Sequence, residues 1–372
     1  MQALYDFSPL VRMLWVGVLL ALGPLTWVWY QHRRAGALRR TQALTLLTLF
    51  LTFDLLMFGA FTRLTDSGLG CPDWPGCYGQ ASPIAAHAEI TAAQSAMPSG
   101  PVTHDKAWIE MVHRYLATSV GVLMMVLAVS AWLGRARPGT LGLRRAPSPW
   151  WPTLTLLWVC LQGAFGALTV TMKLFPAIVT LHLLGGMVLL ALLGVQVART
   201  AQLDAQAGPL AIAPGLRRLL WLCFAVLGVQ IALGGWVSTN YAVLACSDFP
   251  LCQGSWWPQM DFQRGFELWR ELGLTGSGEV LNFAALTAIH YVHRLAALIV
   301  LVLLGLLAWR LNRVPALRQP GRWLAALTTL QWATGLSNVM LDWPLLGAVL
   351  HTAGAGALVL VLTWAVVVSH PV

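Results

Sequence analysis

Apolar positions along this chain gather in long blocks, separated by short basic linkers or by two long polar loops. Crossing a bilayer core of roughly 30 Å takes about 20 residues of helix. Blocks of that length lie near 10–30, 41–62, 107–133, 150–172, 177–197, 217–238, 284–309, 321–341 and 344–368, which predicts nine membrane-spanning helices. No basic cluster precedes the first block, no small-residue cleavage site follows it, and arginines come directly after, so it reads as a retained helix and not a cleaved signal. The two loops, at about 63–105 and 239–283, far exceed ordinary connections and so suggest function. Within the first, 80–103 is rich in Ala, Ser, Pro and Thr and reads as a loose segment. Within the second, Phe262, Phe266 and Trp269 share one helical face, with Arg264, Glu267, Arg270 and Glu271 elsewhere, which predicts an amphipathic helix on the outer membrane surface.

Composition closes off the alternatives. Of 372 residues, 58% are hydrophobic and 10% charged, whereas a soluble domain carries about 25% charged residues. A soluble enzyme or a disordered chain is thereby excluded. The formal charge of +9 comes from residues placed between apolar blocks, where they serve as topology signals and not as nucleic-acid contacts. Fifteen of the 23 Lys and Arg fall in four linkers: Arg33, Arg34, Arg39 and Arg40; Arg135, Arg137, Arg144 and Arg145; Arg199, Arg217 and Arg218; Arg310, Arg313, Arg318 and Arg322. These linkers are expected in the cytoplasm. With nine spans, the N-terminus of this multi-pass protein then lies outside and the C-terminus inside.

The chain also repeats itself. CPDWPGC at 71–77 matches CSDFPLC at 246–252, and IEMVHRYLA at 109–117 matches IHYVHRLAA at 289–297. LQGAFGALTV at 161–170 matches LQWATGLSNV at 330–339, and LHLLG at 181–185 matches LHTAG at 350–354. Four landmarks in one order, at offsets of 175, 180 and 169, make spans 2–5 and 6–9 two copies of a four-helix unit. Each copy begins with a helix running outward, so the repeats are parallel. The expected fold is all-α and polytopic, with an extra N-terminal helix and linker over 1–40, a four-helix bundle over 41–200 and a second over 201–372.

Four histidines occupy corresponding places inside the blocks: His113, His182, His293 and His351. Each falls some six to nine residues below the outer end of its helix, roughly 9–14 Å at 1.5 Å per residue. Polar side chains at that depth are costly and mark function. Paired imidazoles in a four-helix unit, with no carboxylate or thiolate to complete a small-metal site, suit axial ligation of heme iron. Gly163, Gly166, Gly185, Gly186, Gly335, Gly354 and Gly356 leave room for a flat macrocycle, or for close helix packing alone. Arg114 and Arg294 follow their histidines directly and require anions, for which heme propionates or loop carboxylates are candidates. Arg63, at a helix end, is accounted for by snorkelling alone.

The copies differ where the first has Glu110 and the second His290. Glu110 lies one turn outward of His113 on the same face, where a carboxylate could act as base, or else pair with Lys106 four residues back. Asp54 is a further intramembrane acid, either neutral and hydrogen-bonded or a proton carrier. Cys71 with Cys77, and Cys246 with Cys252, lie on the oxidising side and predict two short-loop disulfides; the spacing disfavours zinc. Cys160 and Cys223, within spans, read as free core thiols.

Together GAFTRLTDSGLGCPDWPGC (59–77), EMVHR (110–114), LHLLGG (181–186), VHR (292–294) and LHTAG (350–354) resemble the heme A synthase family of cytochrome oxidase assembly, from about residue 41 to the end. The resemblance implies a duplicated eight-helix core in a bacterial-type inner membrane. It implies an oxidoreductase that converts a methyl group of heme O, through alcohol stages, to the formyl group of heme A, with water as oxygen source. It further implies His113 and His182 as substrate-heme ligands, Glu110 as essential to the chemistry, Cys71–Cys77 as the loop disulfide, and heme b on His293 and His351 as electron carrier. Arg294 then belongs to the heme b site, and Arg63 and Arg114 are candidate propionate contacts. His290 rivals His293 as ligand, but the His-Arg pair shared with His113-Arg114 favours His293. Heme O synthase, an electron acceptor, membrane lipid and a second copy of the chain are candidate partners. A diheme b-type electron-transfer cytochrome and a heme carrier stay open as rivals, and the contrast between Glu110 and His290 favours an enzyme.

Overall fold

The computed structural model describes residues 8–135 and 148–369. Arg137, Arg144 and Arg145, counted above for orientation, lie outside them, as do residues 1–7 and 370–372 of the expected terminal segments. The described residues are helical with no strand: α1 (Ser8–Gln31), α2 (Ala37–Leu64), α3 (His87–Ala96), α4 (His104–Arg135), α5 (Trp150–Thr171), α6 (Pro176–Asp204), α7 (Pro214–Thr239), α8 (Phe262–Gly265), α9 (Phe283–Asn312), α10 (Arg318–Met340) and α11 (Leu345–Ser369). Helix is the form in which every backbone polar group finds a partner within its own segment, which is what a bilayer demands. The protein is an all-α polytopic membrane protein.

Eight helices among the described residues are long and apolar enough to cross a membrane: α1, α2, α4, α5, α6, α7, α9 and α11. The ninth expected span, 321–341, does form helix α10 but falls short of the others in apolarity. The cause is its polar content, Arg318, Gln319, Arg322, Gln331, Thr334 and Asn338. Two of these side chains, Gln331 and Thr334, are bonded to a histidine of the next helix.

The chain divides into two compact units, 1–173 with 192–208, and 174–191 with 209–372. In the first, α1 packs on α4 and α2, and α4 also packs on α2, α3 and α5. In the second, α7 packs on α9, α9 on α10, α10 on α11 and α11 back on α7, which closes a ring of four. Helix α6 gives its first half to the second unit and its second half to the first.

Backbone geometry recurs at the offsets read from the sequence. Asp66 after α2 and Tyr241 after α7 take φ of 51° and 54°. Tyr78-Gly79 and Gln253-Gly254 are left-handed pairs in the two cysteine loops. Lys173-Leu174, which turn the chain from α5 into α6, are matched by Asp342-Trp343 between α10 and α11. Such conformations are uncommon for residues other than glycine, so their recurrence supports the duplication independently of side-chain matches.

Three sequence expectations change. The segment 80–103 is not loose throughout: it contains α3, whose Ile90 is fully buried with Cys71, Cys77, Met111 and Met13. The amphipathic helix is only the four residues of α8. Its end is fixed where the Gly265 carbonyl accepts the Trp236 indole N–H at 2.9 Å. A Cβ at Gly265 would stand 2.8 Å from the Ala285 carbonyl oxygen, so the backbones meet there. Beyond it Arg270 turns inward, 2% exposed, to donate to Asn240 Oδ1 at 2.6 Å. Desolvation lowers the Arg270 pKa from its usual value. Of the two thiols, Cys223 is buried as expected, but Cys160 is exposed.

Helix α1, outside the repeat, is seated by a close approach. A Cβ on Gly17 would lie 2.5 Å from Thr118 Cγ2 of α4. Gly17→Leu should therefore push α1 off α4 and destabilise the detergent-extracted protein by about 1–3 kcal/mol, the usual range for overpacking. Gly23→Leu, at a position with open space, should melt like the parent; equal melting temperatures for both variants would refute the contact.

Candidate functional site

Each cysteine loop is a small closed unit hung on a helix. Cys71 is bonded to Cys77 and Cys246 to Cys252. Inside the first loop the Asp73 carboxylate accepts the backbone N–H groups of Tyr78 and Gly79, both at 2.6 Å. Asp248 does the same for Gln253 at 2.7 Å and Gly254 at 2.9 Å. The Gly254 N–H in particular holds the Asp248 carboxyl below its usual pKa. Cys77 pairs with Gln80, and Cys252 with Ser255, through short antiparallel bridges.

An arginine ties each loop to the helix that carries a candidate ligand. Arg114 Nη1 donates to the carbonyls of Asp73 at 3.0 Å, Pro75 at 3.2 Å and Gly76. Arg294 Nη1 donates to those of Asp248 at 2.8 Å and Leu251 at 3.0 Å, and its Nη2 to that of Cys246 at 2.6 Å. A tyrosine hydroxyl adds a second tether, from Tyr115 to the Ala81 carbonyl and from Tyr291 to the Trp256 carbonyl. Those contacts, made to protein acceptors, account for the anionic or carbonyl partners that Arg114 and Arg294 require. Arg63 lies 3.3 Å from Asp66.

The two copies part at the position four residues before the arginine. In the first, Arg114 Nη2 donates to Glu110 Oε1, and Glu110 Oε2 accepts the Cys71 N–H at 2.8 Å. Both residues are buried, Glu110 at 4% and Arg114 at 8% exposure. Lys106, the alternative partner, donates instead to the Gly100 carbonyl. A buried ion pair offsets its desolvation only when its remaining hydrogen-bonding capacity is also met; the Cys71 amide and the loop carbonyls meet it here. In the second copy His290 takes the place of the carboxylate, and Arg294 Nε donates to its Nε2 at 3.2 Å.

Three of the four candidate ligands sit against a glycine of a neighbouring helix. A Cβ would stand 3.0 Å from His113 Cε1 at Gly59, 3.1 Å from His293 Cε1 at Gly234, and 3.3 Å from His351 Cε1 at Gly335. Gly59 and Gly234 are related by the same offset as the cysteine loops, so extending the repeat alignment upstream would have found them. Phe58 stacks on His113 with ring centroids 6.2 Å apart. Gln230 Nε2 lies 3.0 Å from His293 Nδ1. His293 and His351 both lie in the second unit. His182 lies on the part of α6 that belongs to the second unit, and its Nδ1 is buried without a hydrogen-bond partner. Asp54 is half-buried in the apolar stretch of α2.

Comparison with known proteins gives the family. Residues 42–363 match the family model described as Cytochrome oxidase assembly protein. The Heme A synthase of Shewanella oneidensis is 39% identical over 85% of this chain and 92% of its own length. That of Rhodospirillum centenum is 29% identical over 91% of each, and that of Halalkalibacterium halodurans 28% over 80% of this chain and 86% of its own. The chain belongs to the heme A synthase family of cytochrome oxidase assembly proteins.

Proposed function

We propose that this protein oxidises a methyl group of heme O to the formyl group of heme A, with a bound heme b carrying electrons. The observation that supports it most is the contrast between Glu110 and His290 within otherwise duplicated tethers. One copy adds an oriented carboxylate one turn outward of its histidine; the other offers only imidazole.

The residues present fit heme. Imidazoles are common axial ligands, and the glycines at 59, 234 and 335 leave each ring a neighbour without a side chain. In this reading His113 and His182 serve as substrate-heme ligands, and the C-terminal bundle, 201–372, takes heme b on His293 and His351. Bound heme b supplies a one-electron relay from the substrate toward an external acceptor. With water as the oxygen source, each oxidation of the methyl carbon releases protons as well as electrons. Glu110, held by the Cys71 N–H and Arg114, would take a proton there, and Arg114 keeps its carboxyl group pointed. The N-terminus lies on the periplasmic side and the C-terminus in the cytoplasm of an inner membrane, with both disulfide loops outside.

Glu110→Gln keeps the acceptor for the Cys71 N–H and removes the base. Conversion of heme O to heme A should fall by roughly 10²-fold or more, while heme b absorbance stays near the parent's even though loss of the buried pair with Arg114 lowers the melting temperature; an unchanged rate would remove Glu110 from the mechanism. Pigment extraction followed by mass measurement should yield heme b together with heme O or heme A. Heme b alone would identify an electron-transfer cytochrome instead. His293→Ala and His351→Ala should each abolish the b-type absorbance, and its persistence in both would overturn the ligand assignment.

A further inference from the structure

The contrast at Glu110 is not the only one between the copies. Three residues of α10 hold α11 at His351. Gln331 Nε2 donates to the His351 carbonyl at 2.8 Å, Gly335 lets the ring approach, and Thr334 Oγ1 lies 2.9 Å from His351 Nδ1. At the aligned positions the N-terminal copy has Gln162 and Gly166, but Phe165 in place of Thr334. One hydroxyl is missing.

We propose that Thr334 is a positioning residue for His351, and that its absence from the N-terminal copy separates a site that retains its heme from one that exchanges it. The inference rests on the assignment of heme b to His293 and His351. The Thr334 hydroxyl gives its own proton to the Leu330 carbonyl at 2.8 Å. Toward the imidazole its oxygen is therefore an acceptor, which places the ring proton on Nδ1 and leaves the Nε2 lone pair free. That is the tautomer an axial ligand needs. A partner on the second nitrogen also fixes the ring plane and raises ligand basicity, and removing such partners costs about 10–100-fold in metal affinity. Thr334 is 7% exposed, so little water is at hand to replace the hydroxyl. Phenylalanine cannot accept the proton, and a substrate that must leave as product gains from a looser hold.

The test uses full-length purified protein carrying its heme. Transfer of heme b to apomyoglobin and the midpoint potential are measured for Thr334→Val, Thr334→Ser and His351→Ala. Valine should release heme b about 10–100-fold faster and move the potential upward, because a less basic imidazole stabilises the ferric state less. Serine, which keeps the acceptor, should restore both. Parental release and potential in the valine variant, with heme b lost from His351→Ala, would overturn the role of Thr334 and leave the ligand assignment standing. Retention of unaltered heme b in His351→Ala would overturn the assignment itself. A valine variant that melts earlier but whose heme keeps the parental potential would reduce Thr334 to a packing residue and overturn the proposal as well.

Discussion

The guanidinium that follows each His-Arg histidine governs much of this structure. A charged group at that depth is costly unless its hydrogen bonds are met. Arg114 and Arg294 meet them with carbonyls of the cysteine loops, so satisfying the charge also fixes a loop over the helix end. The disulfides and the Asp73 and Asp248 turns keep those carbonyls converged. Ligand helix and loop are thus one mechanical piece in each copy.

Duplication supplied that piece twice, and three of the differences around it are chemical. Glu110 against His290 changes what sits beside the arginine. Thr334 against Phe165 changes what an imidazole can lean on. Gln230, which reaches His293, is matched by Leu55 in the first copy. In all three places the backbone frame is kept while hydrogen-bonding capacity is redistributed: a carboxylate goes to one copy, and neutral partners for imidazole to the other.

Much of this was legible in the sequence because bilayer physics is coarse. Block length gives the helices, and the repeated motifs align histidines, arginines and cysteines without coordinates. What was not legible depended on tertiary contact. Helix α3 lies in a stretch of weak local signal and owes its place to burial of Ile90 against the disulfide. The amphipathic reading of 262–271 failed because Arg270, polar on paper, is drawn inward to Asn240. Glu110 had helical neighbours at equal spacing on either side, Lys106 and Arg114, and only the loop geometry decides between them. The polar face of α10 lowers its apolarity because its side chains serve His351.

Helix α1 adds a matter of timing. Gly17 closes on Thr118 of α4, and Ala21 and Val28 are buried with Leu123 and Leu127. During synthesis α1 emerges ahead of its partner, which follows only after α2, the first cysteine loop and α3. Contacts so distant in sequence carry a loop-closure cost and form late. Entering the membrane ahead of α4, helix α1 must therefore wait there for the helix that carries Glu110 and His113, and its docking reports that this part of the site has arrived.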